Sequence, residues 1–240
     1  MNTAYKDKST LQEIRERFDK DVERFSNLET GQQSTIDAPL SLELITDAAK
    51  SVKPDARYLL DIGCGAGNYT LKMLSKVPDL HCTLVDLSAP MLERASARVR
   101  AETSGEVVTL QRDIREVELP TERFDIVLAG AVLHHLREDA DWELVFSKLY
   151  ACLKPGGSLW ISDLITHNAA EINVLFQDRY GAYLEGIGGA DYRDTVLAYI
   201  QKEDSPRSIT YQLDLMRKVG FREVDILHKN ACFAAFGGVK

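Results

Sequence analysis

The stretch that decides the fold is "LLDIGCGAGNYT", which runs from Leu59 to Thr70. An apolar segment containing one acid, Asp61, is followed by alternating glycines at Gly63, Gly65 and Gly67. A strand that ends in a glycine turn and leads into a helix brings backbone amides close to a ligand, and the helix N-terminus adds positive potential. The stretch therefore predicts a nucleotide-like ligand at the end of a strand.

Strand-like and helical segments alternate after this turn. Helical patterns cover residues 68–76, 88–100 and 139–153. The strand-like runs are "RYLLDI", "CTLVDL", "VVTLQRDI", "FDIVLAGAV" and "GSLWISDL". The first runs are almost continuously apolar, which is typical of parallel strands covered by helices on both faces. The pattern predicts a doubly wound, mostly parallel α/β sheet.

Residues 1–54 are predicted to form a helical leader without strands. One amphipathic helix is expected from Thr10 to about Leu28, because apolar residues recur three or four positions apart and Thr10 with Glu13 matches a capping box. A second helix is expected to begin at an N-cap, Asp37. Its predicted buried face is Leu40, Leu44 and Ala48.

Residues 55–240 are predicted to form the main domain, with an inserted helical cap at about 165–207. Two helical patterns separated by "GG" occupy this insert, and they are longer than a crossover between strands needs. A last helix is expected to stop at Gly220. The two strand-like runs after it are joined by almost no chain, so they form a hairpin and the final strand is predicted to be antiparallel.

The composition restricts the class of protein. Among 240 residues, 29 are basic and 37 acidic, and a net charge of −8 argues against a large nucleic-acid surface. The N-terminus lacks the apolar core of a secretory signal, and no apolar run approaches the roughly 18 residues of a membrane span. Four widely spaced cysteines without a Cys-x-x-Cys pair argue against disulfides and a zinc site. A cytoplasmic protein with no membrane partner is expected.

The glycine turn does not match the common phosphate-binding patterns. The dinucleotide fingerprint requires glycine at its sixth position, where this chain has Asn68, and the Gly-Lys-Ser/Thr ending of a phosphate loop is absent. Acids follow the next two strands instead: Asp86 is placed to accept ribose hydroxyls, and Asp113 is placed near an adenine amine. The pattern favours a cationic nucleoside over a pyrophosphate. A nicotinamide-dependent oxidoreductase is kept as the alternative.

Five segments in order resemble the motifs of the class I S-adenosylmethionine-dependent methyltransferases. They are "LLDIGCGAGNYT", "LVDLS", "QRDI", "FDIVLAGAVLHHL" and "LKPGGSLWISDL", and "LMRKVGFREVDI" with "CFAAFGG" is similar to the family's closing helix and hairpin. The resemblance runs from about residue 55 to the end. It implies a Rossmann-like fold with seven strands, S-adenosyl-L-methionine as the cofactor, and methyl transfer to an acceptor.

The resemblance also implies the residues that hold the cofactor. Asp61 would arrange the turn and the methionine amino group, Asp86 would hold the ribose, and Asp113 would read the adenine edge. The full set implied for S-adenosylmethionine is Asp61, Gly63, Gly65, Asp86, Leu87, Met91, Asp113, Ile114, Gly130 and Ala131.

Catalysis by such a protein consists mainly of holding the acceptor in line with an electrophilic methyl group and excluding water. In "LHHL", His134 is the candidate general base, because histidine titrates in the useful range. His135 is the weaker candidate, and packing beneath the cofactor or capping the next turn is the alternative for both. The spacing in "HHLRED" matches no standard helical zinc pattern, so no metal is predicted.

The acceptor is predicted to be a small molecule chosen by the leader and the cap, and an oligomer is left open. Ordinary helix packing is the alternative reading of the cap aromatics, and a solvated connection is the alternative to a lid formed by "TGQQSTID". The candidate pocket walls are Phe176, Tyr180, Tyr183, Tyr192 and Tyr199, with Arg179 as a possible anion partner.

A fainter similarity links the chain to carboxy-S-adenosylmethionine synthase, through "FDKDVERF" and "LMRKVGF". The arginine expected to hold that enzyme's cofactor carboxylate falls at Leu215 here. This departure puts a carboxylated cofactor in doubt. A protein that binds S-adenosylmethionine without catalysis is the remaining alternative.

Overall fold

The computed structural model describes residue 5, residues 7–27 and residues 31–240. A seven-stranded sheet lies at the centre of this part of the chain, with the strand order β3-β2-β1-β4-β5-β7-β6. The strands are β1 (Tyr58–Ile62), β2 (His81–Asp86), β3 (Val107–Gln111), β4 (Phe124–Gly130), β5 (Leu153–Leu164), β6 (Glu223–Asn230) and β7 (Phe233–Val239).

The sheet is mostly parallel, as predicted. Strands β1 to β5 pair in parallel, whereas β7 pairs antiparallel with both β5 and β6. The order reverses beside β1, and ligands bind at such a switch point, outside the carboxyl ends of the strands. The predicted doubly wound fold with an antiparallel last strand is confirmed. Strand β5 begins earlier than expected, because "LKPG" already belongs to it.

Helices cover both faces of the sheet and form two apolar cores with it. Trp142 and Phe146 lie in one core, and Leu42 and Ile45 lie in the other. The helices are α1 (Leu11–Lys20), α2 (Val22–Ser26), α3 (Ala38–Val52), α4 (Asn68–Leu74), α5 (Ala89–Glu102), α6 (Asp139–Cys152), α7 (Ala170–Glu203) and α8 (Ile209–Val219), with a 3₁₀ helix at Leu133–His135. Burial on both faces explains why β1 and β4 are continuously apolar.

The leader differs from the prediction of one long first helix. The capping box is confirmed, since the Thr10 hydroxyl accepts from the Glu13 amide and the Glu13 carboxylate accepts from the Thr10 amide. The helix nevertheless ends at Lys20, because Asp21 has a non-helical conformation (φ −105°, ψ 12°) and separates α1 from α2. The predicted end at Leu28 lies outside the described residues.

Helix α3 begins after the expected N-cap, Asp37, but the expected side-chain cap and buried face are wrong. Asp37 stands before α3 but makes no capping bond; its backbone is left-handed (φ 56°) and its carboxylate accepts from Asn230 and pairs with His228, each at 2.8 Å. Leu40 is 45% exposed. The better apolar stripe, at i, i+3, i+4 and i+7, turns inward instead. Its members are Leu42, Ile45, Thr46 and Ala49.

The inserted cap consists of one kinked element between β5 and α8. Helix α7 is interrupted at Gly189, where φ is 81° and ψ is −178°. An extended conformation with positive φ is accessible mainly to glycine, so the "GG" that separates the two predicted helices is the kink. The cap packs over the end of β5, where its Tyr180 lies in one cluster with Leu164 and Phe233. The domain boundaries near residues 54, 165 and 207 stay predictions.

The four cysteines are all free and buried. Among the described residues, no helix combines the length and the apolar character required to cross a bilayer. Cys64 lies within the glycine turn, and Cys152 ends α6 beneath the sheet. Burial raises the pKa of the Cys152 thiol to about 12, so this side chain behaves as a small apolar residue.

Two leucines test the packing that holds α6 on the sheet. Leu149 is 0% exposed, and Leu175 in α7 is 50% exposed. We expect Leu149→Ala to lower the free energy of unfolding by about 2–5 kcal/mol, because it leaves a cavity in the core. Leu175→Ala is the matched control and should change the free energy of unfolding by less than about 0.5 kcal/mol. Urea unfolding measures both, and equal effects would contradict this assignment of the core.

Candidate functional site

A cavity of about 490 Å³ lies at the carboxyl edge of the parallel strands. The glycine turn (residues 63–67) and the ends of β2 and β4 line one side of it. Residues of α1, α2 and α7 line the opposite side. The leader and the cap therefore enclose the crevice that the sheet topology creates.

The glycine turn requires glycine for two different reasons. Gly63, Gly65 and Gly67 all have positive φ, at 62°, 50° and 85°. A Cβ on Gly63 would lie 2.4 Å from a methyl carbon of Val132, so a side chain there cannot fit without rearrangement. A Cβ on Gly65 would meet no atom within 4 Å. Gly65 thus leaves open space beside a cavity-facing backbone, where a ligand can approach closely.

Asp86 connects the glycine turn to the next strand. Its carboxylate accepts from the Gly65 amide at 2.8 Å and from the Ser88 amide at 2.9 Å, and it lines the cavity. Burial raises the pKa of Asp86, while these backbone bonds oppose the rise. A carboxylate has about four acceptor positions, so these backbone bonds do not use up its capacity to accept from a ligand's hydroxyl group.

Asp61 supports the turn from below. It is buried, accepts from the Thr70 hydroxyl at 2.6 Å, and is absent from the cavity wall. Burial raises the pKa of Asp61 to about 7, and the nearby charge of Asp86 adds to this rise. This position fits the predicted role of Asp61 in arranging the glycine turn. Contact between Asp61 and a ligand's amino group stays a prediction.

Residues that follow β3 and residues of α5 form the next part of the cavity wall. Asp113 is held by Arg115, which donates from Nε at 2.9 Å and from Nη2 at 2.6 Å. Burial would raise the pKa of Asp113, but the Arg115 guanidinium lowers it below its usual value, so the carboxylate is charged. The structure also brings to this cavity the predicted residues Leu87, Met91, Ile114, Gly130 and Ala131.

Another part of the cavity wall contains a histidine–carboxylate pair. Asp163, near the end of β5, accepts from the amides of Leu133 (2.8 Å) and His134 (3.2 Å) and pairs with the His134 Nδ1 atom. Burial would lower the pKa of His134, but the negative charges of Asp163 and Asp204 raise it to about 9. The predicted general base is therefore oriented by Asp163 and carries a proton at neutral pH.

Two further groups in this part of the wall have no hydrogen-bond partner. His135 Nδ1 lies 3.3 Å from Asp204 Oδ1, and His134 Nε2 lies 3.7 Å from the same oxygen. Both His135 ring nitrogens and the Asp204 Oδ1 atom are buried without a partner of hydrogen-bonding geometry. Burial raises the pKa of Asp204 to about 6, and burial lowers the pKa of His135 well below its ordinary value.

The structure divides the predicted acceptor residues into two groups. Tyr180, Tyr192 and Tyr199 line the cavity. The others are absent from its wall: Phe176 stacks on His167, Tyr183 donates to the Gln33 carbonyl at 2.9 Å, and Arg179 is exposed. Leu215 lies in the core of α8 and β7, away from the cavity.

The sequence did not identify the cavity residues Arg17, Asp163 and Asp204 as site residues. Arg17 in α1 donates to the Tyr199 hydroxyl at 2.6 Å and to Glu203 at 2.8 Å. Asp163 carried a usable signal, because it lies at the carboxyl end of a parallel strand, where ligand sites form. Arg17 and Asp204 carried none, since only the folding of α1 and α7 over the sheet brings them to the site.

The comparison with known families agrees with this geometry. Residues 59–157 match the family described as a methyltransferase domain. The chain carries a methyltransferase domain. This match confirms the predicted methyltransferase domain over the matched segment. The matched segment extends from β1 to the start of β5 and contains the glycine turn, Asp86 and Asp113.

Relatives and solved structures of the methyltransferase domain extend the match beyond that segment. Malonyl-[acyl-carrier protein] O-methyltransferase of Paenibacillus sp. is 26% identical over 172 residues, 71% of this chain and 61% of the relative. Carboxy-S-adenosyl-L-methionine synthase of Vibrio atlanticus is 28% identical over 197 residues, 80% of each chain. The solved structure of 1,6-didemethyltoxoflavin-N1-methyltransferase from Burkholderia thailandensis has a TM-score of 0.64 at 16% identity and covers 97% of this chain and 91% of its own.

The first curated relatives are longer than the matched region. The chain spans 61% of the Paenibacillus enzyme and 51% of an uncharacterised methyltransferase of Mycobacterium bovis. None of the proteins named here is an oxidoreductase, so that alternative has no support from them. The likeness to the solved structure, at 16% identity, concerns the fold of the methyltransferase domain alone.

The His134–Asp163 pair makes the stability of the domain depend on pH. Folded His134 keeps its proton up to about pH 9, whereas an unfolded histidine loses it near about pH 6.5. This contribution to stability is complete below the lower value and is lost as the pH rises through the higher one. We expect the free energy of unfolding to fall by about 3 kcal/mol over this range.

Asp163→Asn removes the nearest charge that raises the His134 pKa, so its free energy of unfolding should fall less over the same range. Asp125→Asn is the control, because Asp125 is a buried carboxylate paired with Lys154 and two backbone amides, with no histidine among these partners. Urea unfolding at several pH values measures all three proteins. Identical pH dependence in Asp163→Asn and wild type would rule out the pair as its source.

Proposed function

We propose that this chain transfers the methyl group of S-adenosylmethionine to a small-molecule acceptor. The observation that carries the proposal is a cavity whose wall contains both the glycine turn with Asp86 and the side chains of His134 and Asp204. Methyl transfer requires cofactor and acceptor in one space, with the sulfonium methyl directed at the acceptor atom.

The residues around the glycine turn fit the cofactor. Open space beside Gly65 accommodates its methionine part, the Asp86 carboxylate accepts from the ribose hydroxyls, and the wall that includes Met91 takes the adenine. The chain provides no cationic side chain inside the turn itself, which suits a positively charged ligand without phosphate. The Burkholderia methyltransferase structure contains S-adenosylhomocysteine, the product form of this cofactor.

The shape of the cavity supports an acceptor of small size. Its volume of about 490 Å³ lies in the range of small-molecule pockets. Helices α1, α2 and α7 cover it, and Arg17 ties α1 to the end of α7 through Glu203. A folded protein or a nucleic-acid duplex does not fit under such a cover, whereas a small molecule flanked by Tyr180, Tyr192 and Tyr199 does.

The reaction breaks the bond between sulfur and methyl and forms a bond from the methyl to the acceptor, with S-adenosylhomocysteine as the second product. An oxygen or nitrogen acceptor also loses a proton. His134 stays the predicted general base, and it can accept that proton only in the molecules whose imidazole is neutral. The acceptor element, among oxygen, nitrogen, sulfur and carbon, is left open in this proposal.

The similarity to carboxy-S-adenosylmethionine synthase supports a narrower statement. That relative matches 80% of both chains at 28% identity. Leu215, where the carboxylate-binding arginine is expected, is buried in the core. We therefore favour ordinary S-adenosylmethionine over a carboxylated cofactor.

The ribose assignment predicts a loss of cofactor affinity in Asp86→Asn. The asparagine keeps one oxygen for the Gly65 amide but loses the charge that strengthens bonds to hydroxyl groups. We expect S-adenosylhomocysteine affinity, measured by isothermal titration, to weaken by about 10- to 100-fold.

Asp125→Asn is the matched control for this experiment. Asp125 also accepts from two backbone amides, those of Arg57 and Tyr58, but it lies at the opposite edge of the sheet. Its substitution should leave the affinity for S-adenosylhomocysteine unchanged. Equal affinities in Asp86→Asn and wild type would refute the ribose assignment, and NAD binding in place of S-adenosylhomocysteine would refute the proposed function.

The segment at residues 31–37 is predicted to cover the bound cofactor. Gly31, Gln32, Ser34 and Thr35 line the cavity, and the Tyr180 hydroxyl donates to the Ser34 carbonyl at 2.8 Å. We expect S-adenosylhomocysteine to slow amide hydrogen exchange in this segment at least about 10-fold, because cofactor contacts oppose its opening. Helix α8 lies away from the cavity and is the internal control. Unchanged exchange in residues 31–37 at saturating ligand would exclude a lid.

A further inference from the structure

Three side chains of types that can bind metals meet in the wall of the cavity. His134, His135 and Asp204 each offer one ligand atom, and these atoms all lie within 4.8 Å of one another. We propose that they form a Zn²⁺ site, with His134 Nε2, His135 Nδ1 and Asp204 Oδ1 as ligands. Two imidazoles and one carboxylate are a ligand set that zinc takes in sites with an open fourth position.

Unsatisfied polar atoms are the first support for this site. Asp204 is 5% exposed, and its Oδ1 atom has no hydrogen-bond partner. Both ring nitrogens of His135 are buried without a partner as well. Leaving such atoms unpaired costs free energy, and a bound cation would satisfy Asp204 Oδ1 and one nitrogen of His135 together.

The spacing of the ligand atoms is the second support. Asp204 Oδ1 lies 3.3 Å from His135 Nδ1 and 3.7 Å from His134 Nε2. Zinc bonds of about 2.0–2.2 Å in a tetrahedron place neighbouring ligands about 3.3–3.6 Å apart, whereas right angles place them about 2.8–3.1 Å apart. The two separations match a tetrahedral ion better than an octahedral one.

The support around His134 is the third observation. Asp163 pairs with Nδ1 of His134, so Nε2 is the ring atom directed towards Asp204. Histidines that bind metals usually donate their other ring nitrogen to a carboxylate, which orients the ring and strengthens the ligand. Asp163 is itself fixed by the amides of Leu133 and His134. Asp163 and Asp204 also supply two negative charges, while Glu203 pairs with the neighbouring Arg17.

The spacing of the two histidines matches no helical zinc pattern, and for that reason the sequence predicts no metal. They lie in a short 3₁₀ helix, and their ring centroids are 4.3 Å apart. The third ligand follows α7, some 70 residues later in the chain. The Ser205 amide donates to the His134 carbonyl at 2.7 Å and thereby holds Asp204 beside the histidines.

The site has a consequence that rests on the proposed function. Its fourth position faces the cavity, where an acceptor hydroxyl or amine would bind and lose its proton more easily. Zinc occupies the Nε2 atom that His134 needs as a general base, so the ion replaces the base in this role. Metal removal therefore separates the two mechanisms: it lowers turnover where zinc acts and spares turnover where neutral His134 acts.

The test is a titration of the full chain, first stripped of metals by a chelator, with Zn²⁺ in a calorimeter without cofactor or acceptor. We expect one Zn²⁺ per chain. Asp204→Asn and His135→Gln should each weaken binding at least about 100-fold, and Asp163→Asn should weaken it about 10- to 100-fold. The matched control is His228→Gln, which removes a histidine paired with Asp37 outside the cavity and should bind Zn²⁺ like wild type.

Co²⁺ gives a second measurement that needs no variant. Bound to wild type, it should show the intense visible absorption of a tetrahedral site, and circular dichroism confirms that each variant is folded. Absence of saturable Zn²⁺ binding, weak octahedral-type absorption, or an equal loss in His228→Gln would overturn the site. Because no cofactor is present, a chain that binds S-adenosylhomocysteine but not Zn²⁺ loses only this inference, and the reverse result removes only the proposed function.

Discussion

The bond between the Asp86 carboxylate and the Gly65 amide is the constraint on which the site depends. It joins the end of β2 to a left-handed turn after β1, at the place where the sheet order reverses. A side chain at Gly63 would meet Val132, and one at Gly65 would fill the space left for a ligand. Asp61 and Thr70 support the same turn from inside the core. The turn and the helix that follows it are thus held by backbone geometry and by the carboxylates of Asp86 and Asp61.

A crevice at a sheet edge becomes an enclosed cavity only when other elements cover it. Here α1 and α2 approach from the N-terminal side and α7 from the insert, and Arg17 bonded to Tyr199 and Glu203 connects the two covers. The kink at Gly189 allows α7 to fold back over the end of β5. Under the proposed function, the choice of acceptor therefore depends on elements that the sheet itself does not specify.

The surroundings of His134 show how charged groups are arranged around a buried polar side chain. Asp163 accepts from three backbone amides and pairs with one imidazole, so His134 is held in a single orientation. Asp204 and His135 lie beside it without such partners. Buried polar groups of this kind are costly unless a ligand pairs with them. Both residues line the cavity, so a ligand that enters it can supply the missing partner.

Local sequence patterns predicted the parallel strands, the glycine turn, the closing hairpin and the acids after β2 and β3. These features depend on hydrophobic period, turn residues and strand ends, which neighbouring residues determine. They failed where long-range packing chose between options: Asp21 breaks the first helix, Asp37 turns to β6, and the inward stripe of α3 is the one that includes Ile45. The meeting of Arg17, His135 and Asp204 also has no local signal. These residues come from three separate elements, and their distances exist only after α1 and α7 have packed against the sheet.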